Sequence, residues 1–267
     1  MKVVPTLFSC VFVIGATATL AHGQGPPTVP PRPAQPAAAS ANQQERLAPA
    51  MADYTSRVLF GDVYARPELS ARDRSLVTIS VLIATGKPDQ LQVHLGRALA
   101  SGVKPIEASG VLSTLAIYAG WPGAVTSLAV YDRVYTARNI DTSPLRAEVA
   151  TLSPVAPDDS ARRRSINTQF GVIAPKFAQL TNDVVFNDLW RRPDLGVRDR
   201  SLVTLAALAA MGDDELLDPY LRRAVESGLT RDQITEAFTH LAFYAGWGKA
   251  TAAILAVGKT LGTSTAR

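Results

Sequence analysis

Apolar residues along this chain recur every three to four positions rather than every two. From Ser70 the stretch "SARDRSLVTISVLIAT" carries Leu76, Ile79 and Ile83 on one side of a helix, with Ser70 placed to cap it and Asp73 in its first turn. Pro88 and Gly102 frame a second helix, "PDQLQVHLGRALASG", with proline just inside the start and glycine just past the end. Further on, Thr230 and Gln233 have the spacing of a capping box and open a helix through Ile234, Ala237, Phe238 and Leu241. No segment alternates apolar and polar residues between closely spaced turn dipeptides, so the chain is predicted to be all-α.

The helical pattern occurs twice. "RDRSLVT" starts at Arg72 and again at Arg198, and the match extends on both sides without a gap. "LAPAMADYTSRVLFGDVYARPELSARDRSLVTIS" from Leu47 aligns with "IAPKFAQLTNDVVFNDLWRRPDLGVRDRSLVTLA" from Ile173, and the register holds through Gly86 and Gly212, Arg97 and Arg223, and "YAGW" at Tyr118 and Tyr244. This is a tandem duplication of a helical bundle, with repeats over 44–139 and 170–262 and a connector over 140–169. "RRR" at Arg162–Arg164 falls in the connector and reads as a solvated linker.

The ends change the compartment rather than the fold. Residues 1–23 read as a signal peptide, with Lys2 before an apolar run and small residues in "AHG" ahead of Gln24. Residues 24–43, "QGPPTVPPRPAQPAAASANQ", are too rich in proline and alanine to build a core and read as a disordered spacer. The protein is therefore expected to be exported, periplasmic or secreted. Cys10 is the chain's one cysteine and leaves with the signal, so the mature protein would have no thiol, disulfide or cysteine metal ligand. Of three histidines, His94 and His240 remain.

The full sequence has 267 residues, 47% of them hydrophobic, enough for a sizeable core after the leader is removed, and no mid-chain apolar run suits stable membrane insertion. The net charge of +4 is not gathered into a basic stripe, which argues against nucleic acid as a partner.

"RPELSARDRSLVTISVLIATGKPDQLQVHLGRALASGV" followed by "YAGWPGA", and its counterpart in repeat two, resemble the carboxymuconolactone decarboxylase family, which shares its helical fold with alkyl hydroperoxidase D. Hydroperoxidase members of that fold use a Cys-x-x-Cys-x-x-x-His run and a glutamate one helix earlier. On this sequence the histidine falls on His94, the cysteines on Lys87 and Gln90, and the glutamate on Ser75; repeat two has Tyr220, Asp213, Leu216 and Ser201 there. Without a thiolate, peroxidase chemistry is disfavoured.

The decarboxylase branch lacks the cysteines too. The resemblance implies a carboxy-lyase acting on a small anionic, lactone-like molecule without metal or organic cofactor, and a homo-oligomer, a trimer by analogy with single-repeat ring-forming relatives. A non-catalytic ligand-binding or assembly module of the same fold is the alternative.

Such a reaction needs groups that stabilise developing negative charge, an acid to return a proton, and a cation to hold a carboxylate. His94 is one catalytic candidate, the plain alternative being a hydrogen-bonded core histidine. Glu236 and His240 share a helix face and form either an acid–base pair, with Glu236 fixing the tautomer of His240, or a surface ion pair. Their repeat-one counterparts, Gly110 and Thr114, have neither function, so the repeats have diverged into one composite site or one site plus a relic. Arg97 and Arg223 are substrate-anchor candidates, with surface solvation as the alternative. Arg74 and Arg200 read as helix-start and interface charges beside Asp73 and Asp199. Tyr118, Trp121, Tyr244 and Trp247 read as packing rather than pocket.

Overall fold

A computed structural model of the chain describes residues 43–147, 151–154 and 159–262. The signal peptide and nearly all of the proline-rich spacer lie outside these residues, and a helical turn over 43–47 opens the described region. Repeat one contains α1 (Pro49–Asp53), α2 (Ala71–Ala84), α3 (Pro88–Ala100), α4 (Pro105–Tyr118) and α5 (Trp121–Ala137). After the connector, α6 (Asp159–Phe170) precedes repeat two, with α7 (Pro175–Leu180), α8 (Val197–Met211), α9 (Leu217–Glu226), α10 (Arg231–Ala245) and α11 (Trp247–Leu261). No strand occurs among the described residues.

The local signals act as expected. Ser70 Oγ accepts from the Asp73 amide at 3.0 Å, Pro88 occupies the first turn of α3, and Thr230 and Gln233 close a reciprocal capping box. Each cap satisfies amide donors that a helix start leaves unpaired.

Packing follows from two helices that are apolar or small on every side. Every residue of α2 from Asp73 to Ile83, and of α8 from Arg200 to Ala210, is buried. A helix without a polar face must be covered all round. α2 and α8 lie against each other at the centre; α3 of its own repeat and α10 of the other cover α2, while α9 and α4 do the same for α8. The repeats are thus interleaved. At the crossing, Arg72 binds Asp199 at 2.6 Å and Arg198 binds Asp73 at 2.8 Å, a reciprocal exchange that marks a pseudo-twofold axis. Arg72 and Arg198 thus pair at the crossing itself, while Arg74 and Arg200 also reach across the repeats, to Glu236 and to Thr114.

Three features depart from the sequence pattern. α1 and α7 each widen into a π-helical turn, Tyr54–Phe60 and Thr181–Phe186, and a 3₁₀ turn follows at Val63–Ala65 and Leu189–Arg191. The connector ends in helix α6, where Arg162 pairs with Asp159 and lies 4.1 Å over the Phe186 ring, so "RRR" is partly packed rather than a solvated linker. In "YAGW" the glycines break the helices at φ +97° and +99°, values open to glycine. Trp121 and Trp247 then lie largely at the surface, 64% and 66% exposed, with Trp247 edge-on to Phe243 at 5.3 Å. The tyrosines turn inward.

Candidate active site

One group of buried polar side chains lies where α10 of repeat two rests on α2 of repeat one. Arg74, in the first turn of α2, is fully buried. Its Nη2 donates to Glu236 Oε1 at 2.9 Å and to the Arg66 carbonyl at 2.8 Å. Arg66, from the loop before α2, donates through Nε to both Glu236 oxygens at 3.1 and 2.9 Å. Glu236, 4% exposed, thus holds two guanidinium groups, while Arg74 Nε and Nη1 are buried without a hydrogen-bond partner. Arg66 is half-exposed and also pairs with Glu68, whereas the buried, unpartnered nitrogens of Arg74 favour an acceptor or anion beside them.

One turn along α10, His240 is fully buried and its Nε2 lies 2.8 Å from Thr78 Oγ1. Thr78 gives its single hydroxyl hydrogen to the Arg74 carbonyl at 2.9 Å, so its oxygen can only accept from the imidazole. His240 therefore carries its proton on Nε2, and Nδ1 is a bare lone pair, buried and unpartnered. Burial, reinforced by Arg74 and His94, lowers its pKa to about 3.

Tyr244, the next turn of α10, binds the site together. Its hydroxyl lies 2.8 Å from that of Tyr64, on the 3₁₀ turn of repeat one. His240 lies against its ring at 5.1 Å between centroids, and His94 of α3 meets it edge-on at 5.4 Å. The half-buried His94 has its pKa lowered to about 4, first by burial and then by Arg97. Arg97 sits at the rim, 5.2 Å over the Phe60 ring.

The pseudo-twofold axis generates a second, different cluster. There Arg200 is fully buried but takes its carboxylate from its own repeat, Asp194 at 2.8 Å, and donates to Thr114 at 2.9 Å. Gly110 stands where Glu236 stands in the first site. A Cβ on Gly110 would meet Leu195 Cβ at 2.7 Å and the Asp194 backbone at 3.1 Å, so no longer side chain fits. Trp190 replaces Tyr64 and Tyr220 replaces His94; both donate to the Tyr118 hydroxyl, at 2.7 and 2.9 Å. Arg223 lies 4.1 Å over the Trp190 ring. This cluster is packed shut by its own side chains.

The family model described as the carboxymuconolactone decarboxylase family matches residues 49–133 and again 175–259. The chain belongs to the carboxymuconolactone decarboxylase family. It is 35% identical over 83 residues to 4-carboxymuconolactone decarboxylase of Acinetobacter baylyi, covering 31% of this chain and 62% of that protein. It is also 30% identical over 83 residues to nitrosuccinic acid decarboxylase npaB of Metarhizium robertsii, covering 31% and 58%. The chain spans about 60% of the length of these curated relatives.

In this carboxymuconolactone decarboxylase family member, His94 and His240 meet one tyrosine pair, with Arg97 at the rim and Glu236 farther along α10 on Arg66 and Arg74. Arg223 does not join them; it packs on the closed cluster. The expected link between Glu236 and His240 is absent, because Glu236 is engaged by Arg66 and Arg74 and the tautomer of His240 is set by Thr78. Nor do the two form a surface ion pair, both being buried. Nothing in the sequence of one repeat alone marks Arg66, Thr78 or Tyr64, and Tyr244 has the pattern of a packing residue. Their only sequence signal is position 64 against 190, tyrosine in one repeat and tryptophan in the other. Among the described residues, no cluster of three or more His, Cys, Asp or Glu side chains is placed to hold a metal, and no helix is long and apolar enough to cross a membrane.

The depressed histidines fix a pH response. An unfolded imidazole titrates near 6.5. Below that, the unfolded chain binds protons that His94 and His240 refuse until about pH 4 and 3, so their contribution lowers stability as pH falls and is absent above about 6.5. In denaturant titrations, His240→Gln is therefore expected to gain on the wild type steadily from pH 7 to pH 4. A constant difference would show that His240 protonates as readily folded as unfolded.

Proposed function

We propose that this protein is a carboxy-lyase with one working site, built across the repeats, for a small acid that loses CO₂ next to an electron-withdrawing group. The observation that carries this reading is the fully buried guanidinium of Arg74, two of its nitrogens without a partner, set beside two neutral imidazoles. In decarboxylation the C–C bond breaks, CO₂ leaves without the bonding electrons, and the pair moves through the substrate to an electronegative oxygen. A lactone carbonyl conjugated to the breaking bond serves as this sink, and so does a nitro group. The names of the two relatives fit that shared chemistry. The sink lies in the substrate, so the reaction asks the protein for a cation, a donor to the charged oxygen and a proton for carbon. Arg74 and Arg97 supply the first. His94, the more exposed imidazole, relays the proton, taking one from water on one nitrogen as it releases one from the other.

The test is CO₂ release by the purified chain from 4-carboxymuconolactone and from nitrosuccinic acid, with a lactone-like acid as the expected substrate. If both acids stabilise the fold thermally and neither releases CO₂, the protein is a binding module and this reading falls.

The same reading includes assembly and export. Equivalent positions of the two repeats expose apolar side chains to the same degree: Met51 54% and Phe177 55%, Trp121 64% and Trp247 66%. Matched sticky faces on both halves suit a closed ring, here a trimer, with the apolar leader over 1–23 directing it out of the cytoplasm. Light scattering of the mature chain at micromolar concentration should give three times the monomer mass; a monomer would count against it.

A further inference from the structure

We infer that the Tyr64–Tyr244 hydroxyl pair is the hydrogen-bond donor to the oxygen on which negative charge gathers, with Tyr244 in contact with the reacting molecule and Tyr64 positioning it. This rests on the decarboxylase reading and adds two residues that the family resemblance did not supply.

The geometry comes first. Tyr244 is the side chain that both histidines touch, His240 at 5.1 Å and His94 at 5.4 Å between ring centroids. Tyr64 stands edge-on to His240 at 5.0 Å and reaches the Tyr244 hydroxyl at 2.8 Å. Two hydroxyls carry two hydrogens, and the bond between them uses one. The second, which Tyr244 shares with Thr78, is the one that turns to a charged oxygen beside the imidazoles. The pair also spans the repeats, one phenol from the loop before α2 and the other from α10, so it forms only where the composite site forms.

The closed cluster supplies a control within the same molecule. A structural tie between the loop and the "YAGW" tyrosine does not need a second hydroxyl, because Trp190 makes it to Tyr118 at 2.7 Å and buries its ring in doing so. Tyrosine replaces that tryptophan only on the side that carries both histidines.

Chemistry then separates the candidates. With their pKa values lowered to about 4 and 3, His94 and His240 are neutral at pH 7, and the Nε2 hydrogen of His240 is given to Thr78. Burial and the neighbouring Tyr64 push the Tyr244 phenol well up, so it keeps its hydrogen throughout the working range. A phenol held in a buried, pre-set position needs no rearrangement as charge develops, which is the condition for strong stabilisation of an oxyanion. No proton has to leave the pair. The hydrogen bond strengthens as the C–C bonding electrons reach the oxygen, and it weakens again when carbon is protonated.

The experiment uses Tyr244→Phe, Tyr64→Phe and, as control, Tyr118→Phe in the full chain. In the CO₂ assay, Tyr244→Phe should lower kcat about 10²–10³-fold with KM little changed, as loss of one oxyanion donor does. Tyr64→Phe should lower it less, and Tyr118→Phe not at all.

A second readout needs no turnover. An acidic nitrophenol bound as its phenolate offers a delocalised oxyanion to the site, and its absorption reports binding. Tyr244→Phe should weaken that binding at least about tenfold, the scale of one charge-assisted hydrogen bond, whereas Tyr118→Phe should leave it unchanged. Wild-type kcat in Tyr244→Phe, or equal nitrophenolate affinity in all three variants, overturns the assignment. If His94→Gln abolishes turnover while Tyr244→Phe does not, the decarboxylase reading stands and the tyrosine pair fails alone. If no CO₂ appears but nitrophenolate binding still depends on Tyr244, the pair stands as an oxyanion site and the decarboxylase reading fails.

Discussion

Glu236→Ala is expected to destabilise the fold by about 3–5 kcal/mol, the cost of removing one member of a buried ion pair and leaving the other uncompensated. Arg74 is fully buried, and without Glu236 its guanidinium would retain the Arg66 carbonyl alone among its hydrogen-bond partners. Denaturant titration at pH 7 measures this directly. Glu68→Ala removes the exposed partner of Arg66 instead and should change little, because surface pairs are screened by water. A double variant, Arg74→Met with Glu236→Leu, should recover most of the loss, since two apolar side chains need no mutual compensation. Equal stability of Glu236→Ala and wild type would mean that water reaches Arg74 in solution and that the site is open.

The second large effect is catalytic. His94→Gln and His240→Gln should each remove about 10²–10⁴-fold of the CO₂-releasing rate, the usual range for a positioned acid or base. Groups that act as one unit are not additive, so the double variant should lose little more than either single one. At pH 7 both imidazoles are neutral in the fold, and glutamine in their place should leave stability close to the wild-type value. Tyr220→Phe, in the closed cluster, should leave the rate untouched. If only His94→Gln loses activity, the working site is confined to repeat one and the rim; if neither does, it lies elsewhere.

How much of this the sequence discloses depends on whether a signal is local. The helix starts at Ser70, Pro88 and Thr230 are local, since a cap is decided within four residues, and they are where the pattern places them. The shared face of Glu236 and His240 is equally local. What surrounds that face is not. The low amphipathicity of α2 says that it is covered on all sides, but not that α10 from the other repeat covers one of them. For that reason Glu236 looked like a partner for His240, when its partners lie 162 and 170 residues away in Arg74 and Arg66. Arg97 and Arg223 lie over equivalent phenylalanines, Phe60 and Phe186, but Arg223 also lies over Trp190, which stands where the other repeat has Tyr64. A residue's own periodicity carries no trace of such a neighbour. The π-helical turns escape for another reason, as their backbone widening leaves no distinct spacing of apolar residues over only six or seven positions.

The interleaving of the repeats has a consequence for concentration and for inheritance. Two separate chains of one repeat would build two identical pockets, and every substitution in one would appear in the other. They would also come apart on dilution. Joined through residues 140–169, the halves meet at the effective millimolar concentration of a tethered pair, whatever the protein's abundance. Each half is then free to vary alone. That freedom is what permits Gly110 opposite Glu236, Thr114 opposite His240 and Trp190 opposite Tyr64, differences that identical subunits cannot encode. One covalent tether thus releases the two halves from the sameness that a symmetric dimer imposes on its copies.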